Sequence, residues 1–167
     1  NAIAHRGPDD CGEWHSRESG VGLAHRRLAI VDLSPSGHQP MVDASGRAVI
    51  VFNGEIYNFR ELRAQLESEG YEFRGRSDTE VLLACYCRYG EAMLPLLNGI
   101  FAFAIYDQAE QKLFLACDAM GVKPLYFHEG RDGCVFASEL KALMVCGTVT
   151  GGLDVSALFR YLGFLWS

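Results

Sequence analysis

The sequence predicts an α+β protein in which apolar sheets pack together and helices flank them, and three observations carry that expectation. Short β-branched, apolar runs bounded by glycine, Asn-Gly or a polar turn recur at 21–31, 47–52, 100–106 and 112–117. Two amphipathic helical patterns with clear start and stop signals lie between the second and third of these runs. The later runs are apolar at nearly every position instead of every other one, and a strand buried on both faces must lie between two layers.

The elements follow in order. Strands at 21–31 and 47–52 are bounded by Gly20, Gly46 and Asn53-Gly54. A helix is expected from Asn58, with Glu61 three residues later as a capping-box variant; Phe59, Leu62 and Leu66 share one face, and Gly70 is the stop. Ser77 and Glu80 repeat the start signal, Val81, Leu82, Cys85 and Tyr89 continue an apolar stripe, and Gly90 ends it. The two helices should pack together on one sheet face. Beyond Asn98-Gly99 the pattern becomes hairpins: 100–106, a polar turn at 107–111, 112–117, then 124–128, a turn at 130–133, and 134–137. From Leu153 to Trp166 apolar residues recur at helical spacing. Residues 1–150 are therefore read as one domain and 151–167 as the start of a linker or helix leading to another.

With 167 residues, 49% apolar and 22% charged, the chain has the composition of a soluble globular domain with a sizeable core. Its net charge of −6 argues against binding a phosphate backbone, and the one basic cluster, His25-Arg26-Arg27, is too short to track a polyanion. No apolar run approaches the ~18 residues of a membrane span, and no basic stretch precedes an apolar one in the manner of a signal peptide. The expected location is the cytoplasm. Cysteines 11, 85, 87, 117, 134 and 146 lack paired C-x-x-C spacing, so no structural metal is expected. They read as reduced, inert thiols, most of them buried as small apolar residues.

The chemistry gathers in Phe52-Asn53-Gly54-Glu55-Ile56-Tyr57-Asn58, where an apolar strand ends in a side-chain amide, a backbone N–H and a carboxylate side by side. The Asn53 amide and the Gly54 N–H could converge on one developing oxyanion, although Asn-Gly taken alone reads first as a tight turn. Arg27 in a strand faces opposite to Arg26, so only one of them enters a shared pocket, where a guanidinium grips a carboxylate bidentately; an exposed salt bridge is the blander reading. Asp78 falls in the first turn of the second helix, a place that favours a carboxylate through the helix dipole alone. Glu55 could equally be a solvated turn residue.

Taken with His5-Arg6-Gly7-Pro8-Asp9-Asp10, His25-Arg26-Arg27-Leu28-Ala29-Ile30-Val31-Asp32, Gly37-His38-Gln39-Pro40-Met41, Ser77-Asp78-Thr79-Glu80, Gly121-Val122-Lys123-Pro124-Leu125-Tyr126 and Phe136-Ala137-Ser138-Glu139-Leu140-Lys141, this run resembles the glutamine-hydrolysing domain of the asparagine synthetase family. The resemblance implies the four-layer α/β/β/α sandwich of the N-terminal nucleophile hydrolases, without its first strand here. It also implies hydrolysis of glutamine to glutamate and ammonia. Asn53 and Gly54 would be the oxyanion donors, Arg27 the carboxylate anchor, Asp78 the α-ammonium anchor with Glu55 in the same pocket, and backbone atoms of Leu28, Ile30 and Val31 would line it. This domain would need no cofactor. ATP and magnesium would serve a downstream synthetase domain that receives the ammonia through a tunnel. Glutamine and that domain are the expected partners, nucleic acid and membrane are not, and a homodimer is left open.

The family's nucleophile is a cysteine at the start of the mature chain, whose own α-amino group accepts the proton. This chain opens at Asn1, so the resemblance implies an upstream segment beginning Met-Cys-Gly, and these residues by themselves are not expected to hydrolyse glutamine. Cys11 is internal, lacks the free amine and is not taken as a substitute. Histidines 5, 15, 25, 38 and 128 are expected to make structural hydrogen bonds. Cys117-Asp118-Ala119-Met120-Gly121 stands where the family usually carries an arginine and often a proline. Two other readings remain open: a regulatory or binding module that keeps the pocket without a nucleophile, and an amidotransferase for another carboxylate acceptor, such as a sugar acid.

Overall fold

The two most apolar runs of the chain become the central strands of a four-stranded antiparallel sheet in the computed structural model, which describes residues 2–28, 37–131, 133–147, 149 and 152–164. The elements are β1 (Asp10–Ser16), β2 (Val21–Arg27), β3 (Met41–Val42), β4 (Ala48–Ile56), α1 (Phe59–Ser68), α2 (Asp78–Tyr89), β5 (Gly99–Asp107), β6 (Lys112–Cys117), β7 (Tyr126–Gly130), β8 (Gly133–Ala137), α3 (Leu140–Val145) and α4 (Val155–Phe164). Short 3₁₀ turns occupy Ala4–Arg6 and Gly90–Leu96. The large sheet runs β3-β4-β5-β6, and β1-β2 and β7-β8 are separate hairpins. Two compact units are present, Asn1–Leu125 and Tyr126–Ser167.

In the first unit the strand period of two sorts β4 and β5 onto two faces. Ile50, Phe52 and Ile56 of β4 and Phe101, Phe103 and Ile105 of β5 face α1 and α2, meeting Leu62, Leu66, Val81, Leu82 and Cys85 in one core. Leu66 and Leu82 are each 1% exposed, and burial of a leucine side chain of this kind stabilises the fold by about 2 kcal/mol. Val49, Val51, Ala104 and Tyr106 face the other way and are also buried. There the β1-β2 hairpin covers them: Trp14 meets the Tyr106 ring at 5.8 Å between centroids, and Leu23 is buried. Helices and hairpin thus pack on opposite faces of this sheet, in the mixed α/β architecture with antiparallel sheets that the sequence predicts.

Several local details differ from expectation. β1 carries a polar sequence with no apolar alternation, yet pairs along its length with β2, from Asp10↔Arg27 to Ser16↔Val21. Asn58 does not cap α1; its side chain donates to Leu96 O (2.9 Å) and accepts from Asn98 N–H (3.0 Å), tying the helix start to the entry of β5. Ser77 caps α2 as predicted, accepting from Glu80 N–H at 3.2 Å, but Glu80 reaches back to the Arg74 and Gly75 N–H groups. Of the six cysteines only Cys85 is buried and four are exposed, because the others fall on edge strands, turns or helix ends. Burial pushes the Cys85 thiol up to about 12 and Cys87 up to about 11.

In the second unit the β7-β8 hairpin is largely exposed instead of buried on both faces, and α3 buries Leu143. α4 keeps the predicted apolar helix but shows Phe159, Leu162 and Phe164 to solvent. Among the described residues no helix is long and apolar enough to cross a membrane.

Candidate active site

β3 covers only the first half of β4, through Met41↔Ile50 and Val42↔Val49, so from Val51 onward one edge of β4 has no strand beside it among the described residues. The pairing with β5 decides which backbone groups face that edge. Gly54 lies opposite Phe101, and Phe101 directs its own N–H and C=O to the far side, donating to Asp118 Oδ2 (3.1 Å) and accepting from Asp118 N–H (2.8 Å). Gly54↔Phe101 is therefore a non-hydrogen-bonded pair, and the Gly54 N–H and C=O point outward from the sheet edge. Phe52 and Ile56 share that parity, whereas Tyr57 donates inward to Asn98 O at 2.7 Å.

Side chains close the positions on either side of Gly54. Phe52 N–H donates to Gln39 Oε1 (2.6 Å), Phe52 C=O accepts from His25 Nε2–H (3.0 Å), and Ile56 N–H donates to Asp78 Oδ2 (3.1 Å). Because a carbonyl only accepts, His25 carries its proton on Nε2, and burial lowers its pKa to about 4, so the ring is neutral at physiological pH. On the side of β5 only glycine fits at this position. A Cβ on Gly54 would collide with the Ile100 carbonyl oxygen and lie 2.7 Å from Phe101 Cα.

Asn53 and Gly54 pair with Ala102 and Phe101 within a strand that runs on to Ile56, which removes the tight-turn reading. Asn53 shares a face with Val51 and Glu55, the face turned from the helices toward the β1-β2 hairpin. The Gly54 donor thus lies in the sheet edge and the Asn53 side chain projects beside it, an arrangement suited to holding one oxygen from two directions.

Asp78 stands at the start of α2, 5% exposed, with Oδ2 on Ile56 N–H and Oδ1 on Thr79 N–H (2.9 Å). Burial pushes its pKa up, the two N–H donors oppose that, and the negative charge of Glu55 adds to it. The Glu55 charge acting on this buried carboxylate is thus one of the same sign. Arg27 is two residues beyond His25 on the β2 face that also carries Leu23, and Arg26 lies on the opposite face, as the strand period predicts. The Arg27 guanidinium rests on Gly37, where a Cβ would stand 2.8 Å from Arg27 Cζ. Leu28 is exposed, and Ile30 and Val31 fall outside the described residues. Cys11 pairs with Arg26, on the face away from Arg27.

The structure therefore gathers Asn53, Gly54, Glu55 and Asp78 along one strand edge and attaches β2, with Arg27, to that edge through His25. His25 makes the structural hydrogen bond expected of it, and three further residues that hold the arrangement were not singled out from the sequence: Gln39, Thr79 and Asp118. Asp118 accepts from the N–H groups of Phe101, Met120, Val122 and Lys123, fixing the turn after β6 to the strand opposite Gly54. The available signal was a polar residue within a motif, but its partners lie 13 to 40 residues away for Gln39 and no local period reveals them.

The profile of the family described as "Glutamine amidotransferase domain" matches residues 1–167. The chain is 45% identical over 162 residues to asparagine synthetase [glutamine-hydrolyzing] 1 of Bacillus subtilis, covering 97% of this chain and 25% of that protein. It is 43% identical over 145 residues to amidase chry2 of Gibberella zeae, covering 87% of this chain and 22% of that protein. It thus spans about a quarter of the length of these relatives. Among solved structures, the glutamine phosphoribosylpyrophosphate amidotransferase of B. subtilis superposes with a TM-score of 0.65 at 30% identity, over 77% of this chain and 30% of that one. The outward donor at Gly54, the anchors around it and these matches lead to one conclusion: the chain belongs to the glutamine amidotransferase domain family.

Proposed function

We propose that this chain forms the glutamine site of an enzyme that releases ammonia from glutamine and passes it to an amide-forming domain beyond these residues. The observation that carries the reading is the edge of β4, where the outward N–H of Gly54 sits between side-chain closures and next to the buried carboxylate of Asp78. In this reading the side-chain amide of glutamine lies against that edge. As a nucleophile adds to its carbonyl carbon, the oxygen gains charge and accepts from Gly54 N–H and the Asn53 amide. Asp78, with Glu55 near it, holds the α-ammonium, and Arg27 holds the α-carboxylate. The nucleophile is proposed to be a cysteine thiol at the mature start of the full-length protein, with its α-amino group as base. ATP and magnesium would be used by the second domain to activate the acceptor carboxylate.

Aspartate is the proposed acceptor, from the similarity to a glutamine-hydrolysing asparagine synthetase. The similarity to amidase chry2, at nearly the same identity, supports a different acceptor as the second reading. The test uses the full-length protein beginning at its natural start. Glutamate release from glutamine should be abolished by Asn53→Ala and depend on Asp78 and Arg27. Glutamate release unaffected by all three substitutions would refute the assignment of the site. Amide product formed on aspartate, compared with other carboxylic acids, decides the acceptor.

A further inference from the structure

The segment 37–40 is clasped by three elements. His38 Nδ1 pairs with Asp10 Oδ2 of β1 at 2.7 Å, and the Gln39 backbone rests on Gly12, where a Cβ would collide with the Gln39 carbonyl oxygen and stand 2.6 Å from His38 Nε2. From this seat the Gln39 side chain, whose residue is only 6% exposed, reaches in two directions. Its Oε1 accepts from Phe52 N–H at 2.6 Å, and its Nε2 donates to Thr79 Oγ1 at 3.3 Å. Phe52 stands two residues before Gly54, and Thr79 directly follows Asp78. One buried amide thus bridges the strand edge that carries the outward donor and the helix start that carries the carboxylate. A primary amide suits this place because it must accept from an N–H on one side and donate to a hydroxyl on the other.

We propose that Gln39 is a positioning residue of the glutamine site, setting the tilt of the Phe52–Gly54 edge and its separation from Asp78 through Thr79. The proposal rests on the glutamine reading above. Gln39 touches no reacting atom in it. Loss of the bridge leaves a buried Phe52 N–H without its acceptor, and the edge relaxes away from the position where Gly54 meets the oxyanion. The anchors Arg27 and Asp78 keep their own contacts, so turnover should suffer more than substrate affinity.

The experiment compares full-length wild type with Gln39→Met, Thr79→Val and Thr79→Ser, measuring glutamine-dependent and ammonia-dependent amide synthesis in parallel. Gln39→Met should lower kcat for glutamine about 30-fold while KM for glutamine changes less than about threefold. Thr79→Val should lower the same kcat about fivefold, and Thr79→Ser, which keeps the hydroxyl, should stay within about twofold of wild type. Synthesis from free ammonia should remain within about twofold in all three, since it does not use this site. Equal loss of both activities in Gln39→Met would show a structural role only, and wild-type kcat or an effect confined to KM would equally overturn the proposal. Failure of the glutamine reading itself is separable, because the wild-type protein would then make product from ammonia and not from glutamine.

Discussion

Adding one methyl group at Gly54 should damage stability and glutamine use together, by amounts that follow from the close approach of β4 and β5. The new Cβ would lie 2.7 Å from Phe101 Cα and collide with the Ile100 carbonyl oxygen, both of them backbone atoms that cannot rotate away. Carbon atoms settle at about 3.5–4.0 Å, so the strands must separate locally by about 1 Å. Overpacking of this kind costs about 2–3 kcal/mol. In a domain of this size that lowers Tm by roughly 4–12 °C. The shift also moves the Gly54 N–H by a comparable distance from the oxygen it serves, and a misplacement of about 1 Å costs on the order of 100-fold in rate. Gly54→Ala in the full-length protein should therefore lose most glutamine-dependent synthesis, keep ammonia-dependent synthesis within about twofold, and melt earlier in a calorimetric scan. A Tm within about 1 °C of wild type, with glutamine turnover within about threefold, would refute both the packing argument and the placement of the donor.

Asp78→Asn should raise KM for glutamine at least about tenfold by removing a charge-assisted contact to the ammonium. Because burial raises the folded-state pKa of Asp78 above its ordinary 3.8, its ionised form weakens the fold progressively as pH rises through the raised value. The stability of the variant relative to wild type should accordingly improve between about pH 3 and pH 7 in urea titrations, and a difference that stays flat with pH would contradict the burial argument. Asp107 behaves oppositely. Burial opposes its ionisation, but Arg47 and the Glu110 and Ala109 N–H groups outweigh that and hold its carboxyl below the usual range, so its contribution is lost as pH falls through the folded-state pKa. Asp107 is 0% exposed, and Asp107→Ala, which leaves the Ala109 and Glu110 N–H groups without their acceptor while the 39%-exposed Arg47 stays solvated, should cost on the order of 1–2 kcal/mol in denaturant unfolding without altering KM for glutamine. Arg27→Ala should raise KM for glutamine about tenfold or more and leave ammonia use unchanged; loss of both activities in proportion would point to damaged folding.

The sequence was legible wherever a local period or cap dictated the outcome. The apolar face of α1 at Leu62 and Leu66, the Ser77 cap of α2 and the double burial of β5 each follow from residues close in the chain. β1 was not, because its order comes from pairing with β2 and from Trp14 against Tyr106, and neither leaves a pattern in Asp10–Ser16. Asn58 misled for a related reason. An asparagine three residues before a glutamate is a cap signal, but a partner forty residues away at Asn98 competes for the same side chain and wins. At the site, Asn53, Gly54 and Asp78 were visible as chemistry. The scaffold that orients them, Gln39, Thr79 and Asp118, was not, since its meaning lies in contacts that exist only once the sheet and helices have come together; of His25 only a structural hydrogen bond was legible, not its partner Phe52.

An unpaired strand edge ordinarily invites another strand, which is how sheets aggregate and how extended peptides add to them. Along the free half of β4 the outward groups at Phe52 and Ile56 are already occupied by side chains from Gln39, His25 and Asp78. An intruding strand would have to displace all three before forming a ladder. Between them lie the outward N–H and C=O of Gly54. The same side chains that fasten this stretch of β4 to β2, the 37–40 segment and α2 therefore also occupy groups that an added strand would need.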